Sequence, residues 1–120
     1  MPHVYIVILN YKKWEDSLAC LESVLQSGYD DYTVIIIDNH SENNSVTELL
    51  FALKLRTGQS QNSTGRTVAS VNAMPAYCIM EEEELSNKTV AVLPRLVFIK
   101  NKTNKGFAAG NNTVLRWLAN

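Results

Sequence analysis

A three-layer α/β fold on a mainly parallel sheet is the class this sequence predicts, and three observations carry it. Apolar, largely β-branched runs recur at Val4 to Leu9, Tyr32 to Ile37 and Leu96 to Ile99. Segments with apolar residues at helical spacing follow each of them. Every run also stops abruptly at small polar residues: Asn10-Tyr11, Asp38-Asn39-His40-Ser41, and Asn101 to Gly106. Strands that alternate with helices imply parallel pairing and right-handed crossovers.

The first run is apolar at consecutive positions, as in a strand covered on both faces. Trp14, Leu18, Leu21 and Leu25 then recur at helical spacing, predicting an amphipathic helix over 14–27 with Gly28 at its C′ position. After the second strand, Ser45 and Glu48 have the spacing of a capping box ahead of Leu49, Leu50 and Leu53, which predicts a helix to about Arg56. Residues 57–75 are rich in Ser, Thr, Gly, Gln and Asn and predict a long surface loop. Ala76 to Met80 can form a short strand, and the four acids Glu81 to Glu84 that follow are expected to be a solvated face. The last apolar run precedes a closing helix over Phe107 to Leu118, with Val114, Leu115 and Leu118 as its stripe. There is no internal repeat.

The 120 residues suit one domain, with a loop-rich insertion at about 57–95. A hydrophobic fraction of 46% and a charged fraction of 19% are those of an ordinary globular chain, not a disordered one. The net charge is −1 and no basic tract occurs, which argues against a nucleic-acid partner. Cys20 and Cys78 stand apart, without ligand spacing to a histidine or to each other, and are expected to be buried or free thiols of a reducing compartment. No segment has the form of a signal peptide or the length of a membrane span, so the expected location is cytoplasmic, with peripheral membrane association left open. Without a secretory signal, the six N-x-S/T sequons carry no glycosylation meaning.

In a parallel sheet the three polar turns share one edge, where ligands of open α/β sheets bind. A carboxylate such as Asp38 can accept from a base N–H or a ribose hydroxyl, and an aromatic such as Tyr11 can flank a base. Helix N-termini favour phosphate oxygens. An Asp after a strand serves equally well as a helix cap or Asx-turn, and His40 is expected to face solvent. Gly106-Phe107-Ala108-Ala109-Gly110 is not a GxGxxG fingerprint, so a dinucleotide site is weakly supported.

Taken together, Val7 to Tyr11, Ile36 to Ser41 and Asn104 to Asn112 resemble the opening of family 2 glycosyltransferases, most closely the rhamnosyltransferase-like branch. The resemblance covers the chain almost from end to end, apart from 57–95. It implies a GT-A (Rossmann-like) half-domain and transfer of a sugar from a nucleoside-diphosphate donor. It maps nucleotide-lining roles onto Asn10 and Tyr11 and base contact onto Asp38, with Asn39 beside it. It places Asn104, Gly106 and Asn111 near the nucleotide or its supporting helix. The family's Asp-x-Asp, which holds a Mg²⁺ or Mn²⁺ ion, and its catalytic base have no counterpart before Asn120. The expectation is therefore a truncated, donor-nucleotide-binding portion, inactive alone, with no metal site assignable. Its acceptor would be of the kind that builds cell-surface polysaccharide. In such a fold the first strand would be left as an apolar edge, and a homo-oligomer covering that edge is expected. The alternative is a non-catalytic α/β module for nucleotide or protein binding. A nucleotidyltransferase fits less well, because no glycine occurs in Asn10 to Trp14.

Overall fold

The structure, a computed structural model, describes residues 3–58, 74–87, 93–104 and 106–119. Along them run β1 (Val4–Asn10), α1 (Trp14–Leu25), β2 (Tyr32–Asp38), α2 (Ser45–Gly58) and β3 (Tyr77–Glu81). A 3₁₀ helix (Glu82–Asn87), β4 (Leu96–Lys100) and α3 (Gly106–Ala119) complete the order. The four strands pair in parallel in the order β1-β2-β4-β3. This is the predicted α/β class, with α1 and α2 packed on one face and α3 on the other.

β2 explains why an unbroken apolar run was needed. All seven of its residues are buried, because successive side chains feed opposite cores. Val34 and Ile36 join Leu18, Leu21, Leu49, Leu53 and Phe98 under α1 and α2. Ile35 and Ile37 join Val97, Ile99, Met80, Val114 and Trp117 under α3. Each such side chain contributes about 1.5–3 kcal/mol of burial. The same alternation carries past the apolar run: Asp38 continues the α1/α2 face and Asn39 the α3 face.

β1 stands at the edge of the sheet, as the resemblance implied, with Val4 and Tyr5 exposed and Ile6 to Leu9 half-buried. At the opposite end of β2 from Asp38, the His3 imidazole bridges the Asp31 carboxylate and the Thr33 hydroxyl, fastening the start of β1 to β2.

Several local expectations are corrected. α1 ends at Leu25 with Gln26 as its cap, so Ser27 holds the C′ position and Gly28, at φ +82°, lies one residue beyond it. Ser45 is not the cap of α2. Its hydroxyl donates to Asn43 Oδ1, and the Asn44 carbonyl accepts the first helical bond, from the Glu48 N–H. α3 is rotated relative to the predicted stripe: Gly110, Val114 and Trp117 are buried, while Leu115 is 50% exposed. The cause is the close approach of Gly110 to the sheet, which sets the face that α3 presents. β3 lies one residue later than expected. α2 continues through Gly58, and most of the predicted 57–75 loop lies outside the described residues. Both cysteines are free thiols, Cys20 exposed and Cys78 half-buried.

Candidate functional site

The three polar turns meet at the C-terminal edge of the sheet. They are held there by two hydrogen-bond networks, one on each face, each centred on a buried side chain. On the α1/α2 face, Asn10 and Asp38 are register partners at the ends of β1 and β2. Asn10 Nδ2 donates to Asp38 Oδ1 at 2.9 Å, and the Ser41 N–H donates to Asp38 Oδ2 at 3.1 Å. Ser17, one turn into α1, donates through its hydroxyl to Asn10 Oδ1 at 2.6 Å. Asn10, Ser17 and Asp38 are all buried. Both carboxylate oxygens of Asp38 thus accept an internal bond, one of which closes an Asx-type turn. A carboxylate has about four acceptor positions, so capacity for a ligand is left.

The turn after β1 is clamped to the turn after β2. The Lys12 N–H donates to Ser41 Oγ at 2.8 Å, and Asn43 Nδ2 donates to the Lys12 carbonyl at 3.1 Å. Lys12, His40 and Asn44 all have φ near +60°, a region that costs a non-glycine residue roughly 1 kcal/mol or more. All three strained residues therefore belong to the strand-end turns. His40 is exposed, as expected.

On the α3 face, Asn39 is the hub. Its Nδ2 donates to Asn104 Oδ1 at 2.9 Å and to the Gly106 carbonyl at 3.2 Å, and its Oδ1 accepts from Asn101 Nδ2 at 3.1 Å. Asn104 Oδ1 in turn accepts the Gly106 N–H at 2.8 Å, satisfying a donor that a helix start leaves open. Gly110 lies so close that a Cβ there would be 3.1 Å from Leu9 Cδ1 and 3.3 Å from Asn39 Cγ. The Oδ1 of buried Asn101 has no partner among the described residues.

Two cavities open beside the end of β2. The first, about 450 Å³, is lined by Leu9, Tyr11, Lys13, Asp16, Ser17, Asn39, Asn104, Gly106 and Phe107. The second, about 510 Å³, is lined by Asp38, His40, Ser41, Glu81, Glu83, Lys100, Asn101 and Lys102. Of the residues singled out from sequence, Tyr11, Asn39, Asn104 and Gly106 share the first cavity and Asp38 lines the second. Asn10 lies in the network between β1 and α1. Asn111, one turn along α3 and half-buried, lines neither. Lys13, Ser17 and Phe107 were not singled out. Ser17 had a signal, since residues 10 and 17 bracket one turn and the first turn of a helix.

The acidic run does more than face solvent. Glu82 Oε1 accepts the Lys102 N–H at 3.0 Å, Glu84 Oε1 accepts the Glu81 N–H at 2.9 Å, and Glu83 pairs with the Lys102 ammonium. The two contacts to Lys102 tie the turn after β4 to the 3₁₀ helix. The hydrogen bond and charge of Glu83 hold the Lys102 ammonium above the ordinary lysine pKa. Among the described residues, no three His, Cys, Asp or Glu side chains come together as ligands for a cation. No described helix is long and apolar enough to cross a membrane.

A family model described as Glycosyl transferase family 2 matches residues 5–73, more than half of the chain, including the turns after β1 and β2. No curated protein and no solved structure matches the chain.

Proposed function

This chain belongs to glycosyl transferase family 2, and from that premise we propose that it binds the nucleotide part of a nucleoside-diphosphate sugar along the C-terminal edge of its sheet. The observation that supports this reading is the convergence of three turns, distant in sequence, on two cavities flanking one strand end. Tyr11 flanks the base from the turn after β1. Asp38 accepts from a base N–H or a ribose hydroxyl with its remaining lone pairs. Asn39 and Asn104 hold Gly106, and with it the N-terminus of α3, against the ligand. Lys13, at the rim of the first cavity, adds a positive charge for the diphosphate.

The finer assignments are likewise proposals: the rhamnosyltransferase-like branch, an acceptor of the polysaccharide-precursor kind, and self-association along the free edge of β1. An inverting displacement needs a base to deprotonate the acceptor and a group, often a divalent cation, to neutralise the leaving diphosphate. The described residues do not fit a Mg²⁺ or Mn²⁺ site, and no residue of this chain is assigned to either role. The 120 residues are therefore proposed to bind donor without transferring its sugar.

Titration with UDP-, dTDP- and GDP-sugars, followed by amide chemical shifts, tests the reading. Binding of one of them at up to millimolar concentration, with shifts centred on Tyr11, Asp38 and Asn104, is the expected result. If none binds, the donor reading is wrong and the alternative of a protein-interaction module is favoured.

A further inference from the structure

We propose that Phe107 is a ligand-contacting residue, forming with Tyr11 the aromatic walls of the first cavity and packing against the ring of a nucleobase. The inference rests on the nucleotide reading above and adds a residue to it. Both side chains line the same space of about 450 Å³. Tyr11 comes from the turn after β1 and Phe107 from the first turn of α3, so the cavity has an aromatic side chain on each of two separate elements. Phe107 is 75% exposed, more than any other large apolar side chain described, although it stands beside a cavity. An aromatic left in water there gains by covering a flat apolar partner.

The second observation is how firmly its backbone is placed. Gly106, immediately before it, has φ +78°, which directs the chain into α3. The Gly106 N–H is held by Asn104 Oδ1 and the Gly106 carbonyl by Asn39 Nδ2. One turn later, Gly110 sits against Leu9 and Asn39. The aromatic side chain thus extends from a backbone anchored to the sheet on both sides of its attachment. Leu115 provides the contrast. It is exposed on the same helix but lines neither of the two cavities beside β2.

A nucleobase suits these walls better than a phosphate, because stacking uses π-faces and needs no hydrogen-bond donor from the ring. Stacking on an aromatic side chain is also tolerant of base identity. Phe107 would then set how tightly the base is held and leave the choice among bases to the polar groups that reach the base edge.

The test is binding of UDP, dTDP and GDP, each against inorganic pyrophosphate as a probe without a base, to wild type, Phe107→Ala, Phe107→Trp and Leu115→Ala. Phe107→Ala is expected to weaken nucleoside diphosphates roughly tenfold and pyrophosphate not at all, with Phe107→Trp and Leu115→Ala near wild type. Phe107→Ala binding within twofold of wild type, with Tyr11→Ala impaired, overturns this inference and leaves the nucleotide reading standing. A wild type that binds no nucleoside diphosphate overturns both. Equal loss of pyrophosphate and nucleotide would show that Phe107 supports the backbone and does not meet the base.

Discussion

Asp38 and Asn39 are neighbours in sequence, yet they anchor different structures. Asp38 faces α1 and α2, and its carboxylate gathers donors from Asn10 and from the backbone of Ser41. Asn39 faces α3 and passes hydrogen bonds along, taking one from Asn101 and giving others to Asn104 and Gly106. The first network is a sink for donors, in which one charged group satisfies several neighbours. The second is a relay of amides, in which the central side chain, Asn39, both gives and takes. The alternation of a β-strand is what separates them. The comparison teaches that a sink fails all at once when its centre is removed, whereas a relay fails by degrees according to the link that is cut.

The sink should therefore give the largest effect. Asp38→Ala removes the acceptor of the Ser41 N–H and the nearer of the two acceptors of Asn10 Nδ2, and hydrogen bonds to a charged group are the costly ones to lose. Destabilisation of about 2–3 kcal/mol is expected in urea unfolding, moderated by water entering from the adjacent cavity. Asp38→Asn keeps the shape but presents an amide NH₂ to one of two donors, and should cost about half as much. If Asp38→Ala cost less than Asn39→Ala, the distinction between sink and relay would fall.

In the relay, the two ends of a single hydrogen bond should behave differently. Asn39→Ala removes the tether of α3 and strands Asn101 Nδ2, so about 1–3 kcal/mol is expected. Asn101→Ala loses the same bond, but it also removes a buried oxygen that has no partner among the described residues. Removing an unsatisfied group offsets part of the loss, and about 1 kcal/mol or less is expected. Equal losses in the two variants would mean that Asn101 Oδ1 has a partner, for instance an ordered water.

Much of this was legible because it is local. β2 and β4 had to be strands, since a run of Val and Ile buried on both faces has few other solutions. Asp38 was marked by the end of such a run, and the meeting of three polar turns at one sheet edge followed from parallel strand order. The rest depended on contacts between distant residues. The stripe Val114, Leu115, Leu118 satisfied helical spacing, but the register of α3 is set by Gly110, which has no side chain to register in an apolar pattern. Glu81, Glu83 and Glu84 are exposed, as a solvated face requires, but only the pairing of β3 beside β4 brings Lys102 to that run. The resemblance places Asn39 and Asn104 near a nucleotide but says nothing of their bonds to each other and to Asn101, and that relay exists only once β2, β4 and α3 are assembled.

Gly110→Ala tests that register. Alanine is better than glycine in a helix by about 1 kcal/mol, so an uncrowded site would be stabilised. Here the added Cβ meets Leu9 Cδ1 at 3.1 Å and the Asn39 amide at 3.3 Å. Leu9 is half-buried and its terminal methyl can swing away, whereas the Asn39 amide is held by its hydrogen bonds and cannot. Net destabilisation of about 1 kcal/mol is expected, in the range for overpacking. Adding Leu9→Ala should not rescue it if Asn39 is the obstacle. A rescued double variant would place the obstacle at Leu9 and remove the relay from the argument.

The smallest effect belongs to the clasp outside both networks. Glu83 raises the pKa of Lys102, so the pair favours the folded state while the lysine is charged. Its contribution is complete below the ordinary lysine value of 10.5 and is lost as pH rises through the higher folded value. Between neutral and mildly alkaline pH, stability should therefore not depend on this pair's titration. Both side chains are exposed, at 69% and 54%, so solvent and salt screen them. Glu83→Gln should leave the unfolding midpoint unchanged within error at physiological salt, and any effect at low salt should fade on adding it. A clear loss at high salt would instead show that Glu83 belongs to the second cavity's buried framework, making the acidic run a third network beside the sink and the relay.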